Sequence, residues 1–322
     1  MTVRRAFVLA LSAGALFAGA AAAQPFPAKP VRVIVALAPG GGTDNLTRII
    51  APKLTELLGQ QIVVENRAGA GGQIGTDYVA KAPADGYTLL NVDTSFASNP
   101  SLFAKLPYDS QKDFAPVSLL AAAPVALIVH PSVPAKSLRE LLALAKARPR
   151  LFNFAMGGYG SATHLAVEQF RAASGIDIVV IPYKGGGPAT VDVLAGQVVM
   201  MFGGPSSLTQ HVASGRLRAL AVTGAKQIPA LPGVPTFVEA GLPAVDAGSY
   251  WGSLAPAATP REAVSILSAA MIKALQMPDV RQRLIALGYE PLGSTPEEFA
   301  ANIRSEMAKW AKAAKDAKIR VE

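Results

Sequence analysis

The 322-residue sequence contains no cysteine, which excludes a disulfide framework, a thiol nucleophile, thiolate metal ligands and a lipid-anchoring cysteine. It contains only three histidines, and it lacks the GxxxxGK loop, followed by serine or threonine, that cradles nucleotide phosphates. The stretch "GAGGQIG" (69–75) matches a dinucleotide-binding loop only weakly, and we interpret it as a turn with close packing. We therefore expect no cofactor and no bound metal.

Acidic residues are fewer than basic ones: 22 Asp and Glu stand against 30 Lys and Arg, for a net charge of +8. The basic residues are scattered along the chain and form no stripe with interleaved aromatic side chains, so nucleic acid is not expected as a partner. A modest positive charge favours anionic solutes in a general way.

One long apolar run stands out, and it lies at the start of the sequence. Arg4 and Arg5 precede "AFVLALSAGALFAGA", which leads into small residues, and this is the order of a secretory signal peptide. A membrane anchor is the less favoured alternative, because the run is short and no basic stop follows it. We predict that residues 1–23 are removed by cleavage after Ala23 and that the mature protein is periplasmic, in a bacterium with two membranes.

Strand-like apolar runs alternate with helical patterns along almost the whole sequence, which is typical of an α/β protein with a mainly parallel sheet. In the first helical segment, Leu46, Ile50 and Leu54 recur at helical spacing and predict one buried face. About 300 residues exceed what one hydrophobic core usually organises, so two domains are expected. The predicted strands span 31–37, 61–65, 88–92, 125–129, 152–155, 178–181, 198–202 and 218–223, with a further strand near 250–254.

Three consecutive glycines stand where the first predicted strand meets the first predicted helix, in "LAPGGGTDNLTRII" (37–50). Without side chains, the main-chain N–H groups of such a turn can approach a ligand closely, and the helix start adds unpaired donors and partial positive charge. Thr43 or Asp44 can cap this helix. A tight turn without a ligand is the alternative, but one glycine would serve it, so the three glycines favour an anion site.

Two later junctions repeat this order of strand, glycines and helix, in "FAMGGYGSATHLAVEQF" (154–170) and "IPYKGGGPATVDVLAG" (181–196). Because α/β sheets bind ligands at the carboxyl ends of their strands, we expect the three loops to line one cleft. Main-chain donors and helix starts in that cleft predict a carboxylate ligand.

Polar side chains near these loops allow more than one interpretation. Thr94 and Ser95 follow a predicted strand, and they either line the pocket or cap a turn. Lys184 is either a counter-charge for the ligand or a solvated loop residue. Tyr183 either stacks on an aromatic solute or, as we favour, packs in the core.

Two further positions could support chemistry other than binding. His164 and Glu168 lie four residues apart and could form half of a metal site, but a helix-start histidine beside the cleft is the favoured role. Ser161 could be a nucleophile, yet "GYGSA" is not GxSxG and no sequence signal supplies a base. We therefore do not expect an enzyme.

The ordered motifs "FPAKPVRVIVALAPGGGTD", "VENRAGAGGQIG", "ADGYTLL", "IPYKGGGPA", "LAGQV", "RLRALAVTG" and "LPGVPTFVEAGLP" run from about Phe26 to Leu242. With "WGSLAPAATP" and "LGYEPLGSTPEEF" after them, the sequence resembles the Bug (tripartite tricarboxylate transporter) substrate-binding proteins. The resemblance implies a two-domain periplasmic-binding-protein fold, type II-like, with the ligand cleft between the domains. It implies a discontinuous first domain of 24–124 plus 224–322, a second domain of 125–223, and crossing strands near 123–126 and 220–224.

The resemblance also implies where the ligand binds. Members of this family hold a carboxylate through main-chain groups and ordered waters, from the loop after the first strand and a facing loop of the second domain. The matching positions are 38–43 and 157–163. With the side chains discussed above, the candidate ligand-binding residues are Ala38, Gly40, Gly41, Gly42, Thr43, Thr94, Ser95, Gly157, Gly160, Ser161, Thr163, His164, Tyr183 and Lys184.

The function implied by the resemblance is that of a solute receptor. It would capture a di- or tricarboxylate, an amino acid or an aromatic acid by domain closure and deliver it to a tripartite tricarboxylate-type membrane permease. We expect a monomer. Two alternatives stay open: a periplasmic hydrolase on the same scaffold, which would need a base beside Ser161, and a sensor that presents the ligand to a membrane receptor.

Overall fold

The computed structural model describes residues 25–316, so the predicted signal peptide and its cleavage position near Ala23 lie outside the described residues. The described chain forms eleven strands and ten α-helices. The strands are β1 (Val31–Val35), β2 (Ile62–Asn66), β3 (Thr88–Asp93), β4 (Phe114–Pro124), β5 (Ala126–Val129), β6 (Asn153–Met156), β7 (Val179–Pro182), β8 (Met200–Gly203), β9 (Arg218–Val222), β10 (Gly248–Pro256) and β11 (Glu290–Pro291).

The helices flank these strands, and the buried stripe predicted in the first of them, with Leu46, Ile50 and Leu54, is observed. They are α1 (Gly42–Leu58), α2 (Gln73–Ala80), α3 (Ser95–Leu102), α4 (Leu138–Ala147), α5 (Ala162–Ser174), α6 (Gly186–Leu194), α7 (Pro205–Ala213), α8 (Arg261–Gln276), α9 (Pro278–Ala286) and α10 (Pro296–Asp316).

The strands form two mixed sheets, and we call each sheet with its helices a lobe. The first lobe has the strand order β11-β4-β10-β3-β1-β2, and the second has β7-β6-β8-β5-β9. In the first sheet, β1 runs parallel to β2 and β3, whereas β10 is antiparallel to β3 and β4. In the second, β6 is parallel to β7 and β8, but β5 is antiparallel to β8 and β9. The prediction of mainly parallel sheets is therefore wrong, because the strands on either side of the crossings run against the βαβ strands.

The chain crosses between the lobes at two places that touch each other. Between Pro124 of β4 and Ala126 of β5 it passes from the first sheet to the second. There Val125 N donates to Thr223 Oγ1 at 2.9 Å, and Thr223 N donates to the Val125 carbonyl at 2.9 Å. The domain boundaries stay a prediction, which the membership of the two sheets supports.

The C-terminal helix α10 packs on both lobes. Near its start, Phe299 is fully buried and lies against Gly252 of β10 in the first sheet. Trp310, three turns further on, belongs to the hydrophobic cluster that contains most of the buried apolar residues of the second lobe. The helix thus connects the two cores by apolar packing. The irregular segment before β10 adds Phe237, Val245 and Ala247 to the cluster of the second lobe.

Within residues 25–316, no single helix combines the length and apolarity needed to cross a membrane. Helices α8 and α9 reach that combination only when taken together, and they meet at a bend of 70°.

Replacing Gly252 with Ala is expected to destabilise the first lobe, because the added Cβ would overlap the Phe299 ring. Overpacking of this kind costs about 1–3 kcal/mol of unfolding free energy. Gly248→Ala, on the same strand, is the matched control, since its Cβ would meet only the Ala123 carbonyl at 3.6 Å. Equal denaturation midpoints for the two variants would contradict the proposed packing of α10.

Candidate functional site

A chamber of about 230 Å³ lies between the lobes, at the carboxyl ends of strands from both sheets. Leu37 follows β1, Asp93 ends β3, Gly157 follows β6 and Pro182 ends β7, which agrees with the rule for ligand sites in α/β sheets. Five of the lining residues were predicted from the sequence: Ser95, Gly157, Ser161, Tyr183 and Lys184. The lining is Leu37, Ala70, Gly71, Asp93, Ser95, Gly157, Gly158, Tyr159, Ser161, Pro182, Tyr183 and Lys184.

Helix starts supply positive potential to this chamber. Ser95 begins α3, and Ser161 caps α5 by accepting a hydrogen bond from His164 N at 3.3 Å. Both residues line the chamber, so the positive ends of two helix dipoles lie beside it. Lys184, an exposed residue of the second lobe, adds a full positive charge at the wall. This combination is suited to binding an anion.

Asp93 is a lining residue that the sequence analysis missed. Its Oδ1 accepts hydrogen bonds from Ser95 N at 3.0 Å and from Ser95 Oγ at 2.5 Å. Burial raises the pKa of the Asp93 carboxyl, and the two bonds from Ser95 offset only part of that effect. A sequence signal was present, because an acidic residue ends a strand whose other residues are buried.

Tyr183 lines the chamber, and its hydroxyl is hydrogen-bonded to a residue outside the lining. The hydroxyl donates to Asp192 Oδ2 on α6 at 2.6 Å. Burial, followed by this hydrogen bond, raises the pKa of Tyr183 to about 12. Tyr183 therefore remains neutral at physiological pH, and it packs against a hydrophobic cluster of the second lobe, as favoured from the sequence, while also lining the chamber.

The glycine loop before α1 lies at the edge of the chamber and faces the loop before α6 across the cleft. A Cβ on Gly187 would overlap the Pro39 carbonyl oxygen, and one on Gly185 would lie 3.4 Å from the Ala38 Cβ. A Cβ on Gly41 would lie 3.8 Å from Gly187 N, and Gly40 has a positive φ of 79°. The bare main chains therefore allow the lobes to approach closely. This contact between the two loops involves Ala38, Gly40 and Gly41, and none of the three lines the chamber.

Gly42 and Thr43 point into the first lobe. A Cβ on Gly42 would lie 2.6 Å from the indole of Trp251, and the Gly42 carbonyl accepts from the Tyr289 hydroxyl at 2.7 Å. Thr43 is buried, and its Oγ1 has no hydrogen-bond partner among the described residues. Neither residue lines the chamber.

Asp44 stabilises the glycine loop through hydrogen bonds to its carboxylate. Its Oδ2 accepts from Gly40 N at 3.0 Å, and its Oδ1 accepts from Asn66 Nδ2 at 3.0 Å and from Arg48 Nε at 2.9 Å. Helix α1 begins at Gly42, and its N-cap residue is Gly41, so no side chain caps it. The prediction that Thr43 or Asp44 caps this helix is wrong, since the carboxylate of Asp44 reaches one residue further back into the loop.

The facing loop of the second lobe is fixed by internal hydrogen bonds. Gly160 N donates to His164 Nδ1 at 3.1 Å, and Gly157 N donates to Thr163 Oγ1 at 3.2 Å. Burial lowers the pKa of His164, which agrees with a neutral ring that accepts this bond. His164 and Thr163 therefore shape the loop, and the described residues hold no group of three or more potential metal ligands around them.

One hydrogen bond joins the lobes near the chamber, and a second one supports the first-lobe loop beside it. Ser98 Oγ of α3 donates to the Gly160 carbonyl at 2.6 Å, and Asn99 Nδ2 donates to the Gly71 carbonyl at 3.0 Å within the first lobe, beside Tyr159. Together with the contact of Gly187 on Pro39, these interactions describe a closed arrangement of the lobes. Thr94, the remaining predicted residue, is buried and its Oγ1 accepts from Tyr250 N at 3.3 Å.

Two α/β lobes joined by crossing strands around a solute-sized chamber define the class of periplasmic binding proteins. A sequence profile of the tripartite tricarboxylate transporter family receptors matches residues 46–319. The chain belongs to this family, which includes the Bug proteins. BugT of Bordetella pertussis is 40% identical over 291 residues, which is 90% of this chain and 89% of BugT.

Solved structures agree with this assignment. A structure of an R. palustris protein with adipate has a TM-score of 0.89 and 35% identity, and the match covers 92% of this chain and 100% of that one. MatC from Rhodopseudomonas palustris with bound malate has a TM-score of 0.84 and 34% identity, with coverage of 89% and 99%. The family consists of solute-binding receptors.

Replacing Asp93 with Asn is expected to raise the unfolding temperature, by an amount that grows with pH. Because burial raises the pKa of Asp93, the folded protein holds that proton more tightly than the unfolded chain does. The stability contributed by the carboxyl is therefore present at low pH and is lost as the pH rises through the folded-state pKa. Asn keeps an acceptor for Ser95 and carries no charge.

Unfolding temperatures measured between about pH 2.5 and pH 8 check this prediction. Asp109→Asn is the control, because the hydrogen bond from Gln111 N lowers the pKa of Asp109. Its stabilising effect is lost as the pH falls, so the two variants should show opposite trends. A D93N difference that is constant or shrinks with rising pH would show that the Asp93 carboxyl is not destabilised by burial.

Proposed function

We propose that the protein is a periplasmic receptor that captures a small organic carboxylate in the chamber between its lobes and delivers it to a membrane permease. One observation carries the proposal: the starts of α3 and α5, together with Lys184, converge on one chamber at the carboxyl ends of the strands. Helix N-termini and a cation favour negative charge, and the carboxylate is the common small organic anion that fits them.

The size of the chamber supports a small solute. About 230 Å³ lies below the range of roughly 300–1,000 Å³ that is typical of sites for drug-sized ligands. A dicarboxylic acid with a short chain is compatible with this volume. The relatives that were solved with adipate and with malate, both of them dicarboxylates, support the same class of ligand.

Closure of the lobes provides the second part of the proposed function. Contacts across the cleft, between Ser98 and Gly160 and between Pro39 and Gly187, form only when the lobes are together. A ligand that touches both walls therefore binds the closed form better than the open one and shifts the population towards it. The permease then recognises the closed, loaded receptor.

The family and the first 23 residues support a periplasmic location, with export directed by the predicted signal peptide. The alternative of a hydrolase has less support. Ser161 Oγ donates to the Gly158 carbonyl at 2.8 Å and lies 2.8 Å from the Thr163 hydroxyl, and neither group is a base. A sensor would use the same site, and only the partner protein would differ.

A thermal-shift screen of carboxylic acids, with the matching amides as neutral controls, tests the proposal, and calorimetry on the hits gives the affinity. A ligand at 100 times its Kd should stabilise the receptor by about 2.7 kcal/mol. We expect acids and not amides to register, without any product of turnover. If only the neutral compounds bound, or if a bound acid were converted, the proposed function would be wrong.

The role of closure can be tested with two neighbouring glycines. Gly187→Ala is expected to weaken binding of any acid found in the screen by ten-fold or more, because its Cβ would overlap the Pro39 carbonyl only in the closed form. Steric overlaps of this size cost about 1–3 kcal/mol. Gly186→Ala is the matched control, since nothing lies within 4 Å of its Cβ.

Both variants should unfold at nearly the wild-type temperature without ligand, because an alanine in the first turn of α6 is compatible with the helix. Calorimetric affinities that are equal for the two variants would mean that ligand binding does not require this loop-to-loop contact.

A further inference from the structure

The chamber wall carries two charged side chains of opposite sign, one from each lobe. Asp93 stands at the end of β3 in the first lobe, and Lys184 follows β7 in the second. No ion pair within residues 25–316 includes either of them. A carboxylate in the chamber wall would weaken the binding of a simple dianion, because like charges repel each other strongly where water is largely excluded.

Asp93 is held in a fixed orientation with one oxygen left over. Both hydrogen bonds from Ser95 go to Oδ1, at 3.0 Å from N and 2.5 Å from Oγ. Oδ2 therefore stays available as an acceptor that a bound molecule can use. Without such a donor, a partly buried carboxylate is unpaired, which is an unfavourable state that a cationic partner relieves.

Support of the first turn of α3 explains the hydrogen bonds to Oδ1 of Asp93, but it does not explain the charge of this residue or its unused Oδ2. An acceptor before a helix is useful, because it satisfies N–H groups that the first turn leaves unpaired. An asparagine would accept the same bonds from Ser95 without placing a charge in the chamber wall. Support of the helix therefore accounts for the role of Oδ1, whereas the charge of Asp93 and its Oδ2 remain available to bind the ligand.

We propose that Asp93 is a specificity-determining residue that accepts a hydrogen bond from an ammonium group of the ligand. The ligand is then an amino acid, and its carboxylate lies towards the helix starts and Lys184. An ammonium group fits better than a hydroxyl group, because it neutralises the charge of Asp93 as well as donating to it. This inference rests on the proposed function and narrows the class of carboxylate.

Matched acids that differ only in the substituent next to one carboxyl group test the proposal. The probes are succinate, malate and aspartate, which carry hydrogen, hydroxyl and ammonium, together with the pairs glutarate and glutamate, and adipate and 2-aminoadipate. Calorimetry with the full-length mature protein gives each Kd. We expect the amino acid of at least one chain length to bind about ten-fold or more tightly than its plain diacid, a difference of about 1.4 kcal/mol.

Two variants separate the roles of the two charges. Asp93→Asn should weaken binding of the amino acid by about ten-fold or more and leave the plain diacid unchanged or tighter. Lys184→Gln should weaken both ligands to a similar extent, because both carry the carboxylate that it faces. Circular dichroism and the unfolding temperature without ligand confirm that each variant is folded.

The outcomes distinguish this inference from the proposed function. If plain diacids bind at least as tightly as amino acids, and D93N leaves the ratio of their Kd values unchanged, Asp93 is only a helix-supporting residue and the inference is overturned. The carboxylate receptor then stands. If no acid of either kind binds, the proposed function itself fails and the inference fails with it.

Discussion

The approach of main chain to main chain across the cleft is the constraint on which the site depends. The Pro39 carbonyl and Gly187, from opposite lobes, approach each other where a Cβ on Gly187 would not fit, and the Gly160 carbonyl accepts a hydrogen bond from the Ser98 side chain. Side chains at these positions would hold the lobes apart and open the chamber to solvent. Strong electrostatic contacts need the exclusion of water, so in the proposed function the glycines would act on ligand binding mainly by permitting closure.

The chemistry of the chamber is divided between main chain and side chains. In the proposed site, the starts of α3 and α5 supply positive potential that favours any carboxylate, so they would give affinity for a class of ligands. Lys184 strengthens that preference. Asp93 has the opposite charge and its burial is unfavourable, and such a residue is retained where function requires it. The proposed site thus combines general recognition of an anion with one selective side chain.

Much of the fold followed from hydrophobic pattern. Nine strands were predicted close to their observed positions, because each is a short apolar run between turn residues. Strand β4 was missed, since "FAPVSLLAAAP" contains two prolines and several alanines and few β-branched residues. The presence of antiparallel strands in both sheets was missed as well. The alternation of strands and helices does not indicate in which direction the strands beside a crossing pair.

The sequence alone determined the class of the protein: the α/β pattern, the glycine junctions and the ordered motifs lie in local stretches of chain, where composition and spacing are informative. Only the tertiary structure decided which residues meet. In the structure, Gly42 packs against Trp251, and His164 and Asp44 accept hydrogen bonds from the loops that they stabilise. Asp93 and Lys184 line the same chamber. The physical reason is that these contacts join segments distant in sequence, and their geometry is set by how two sheets pack around one cleft.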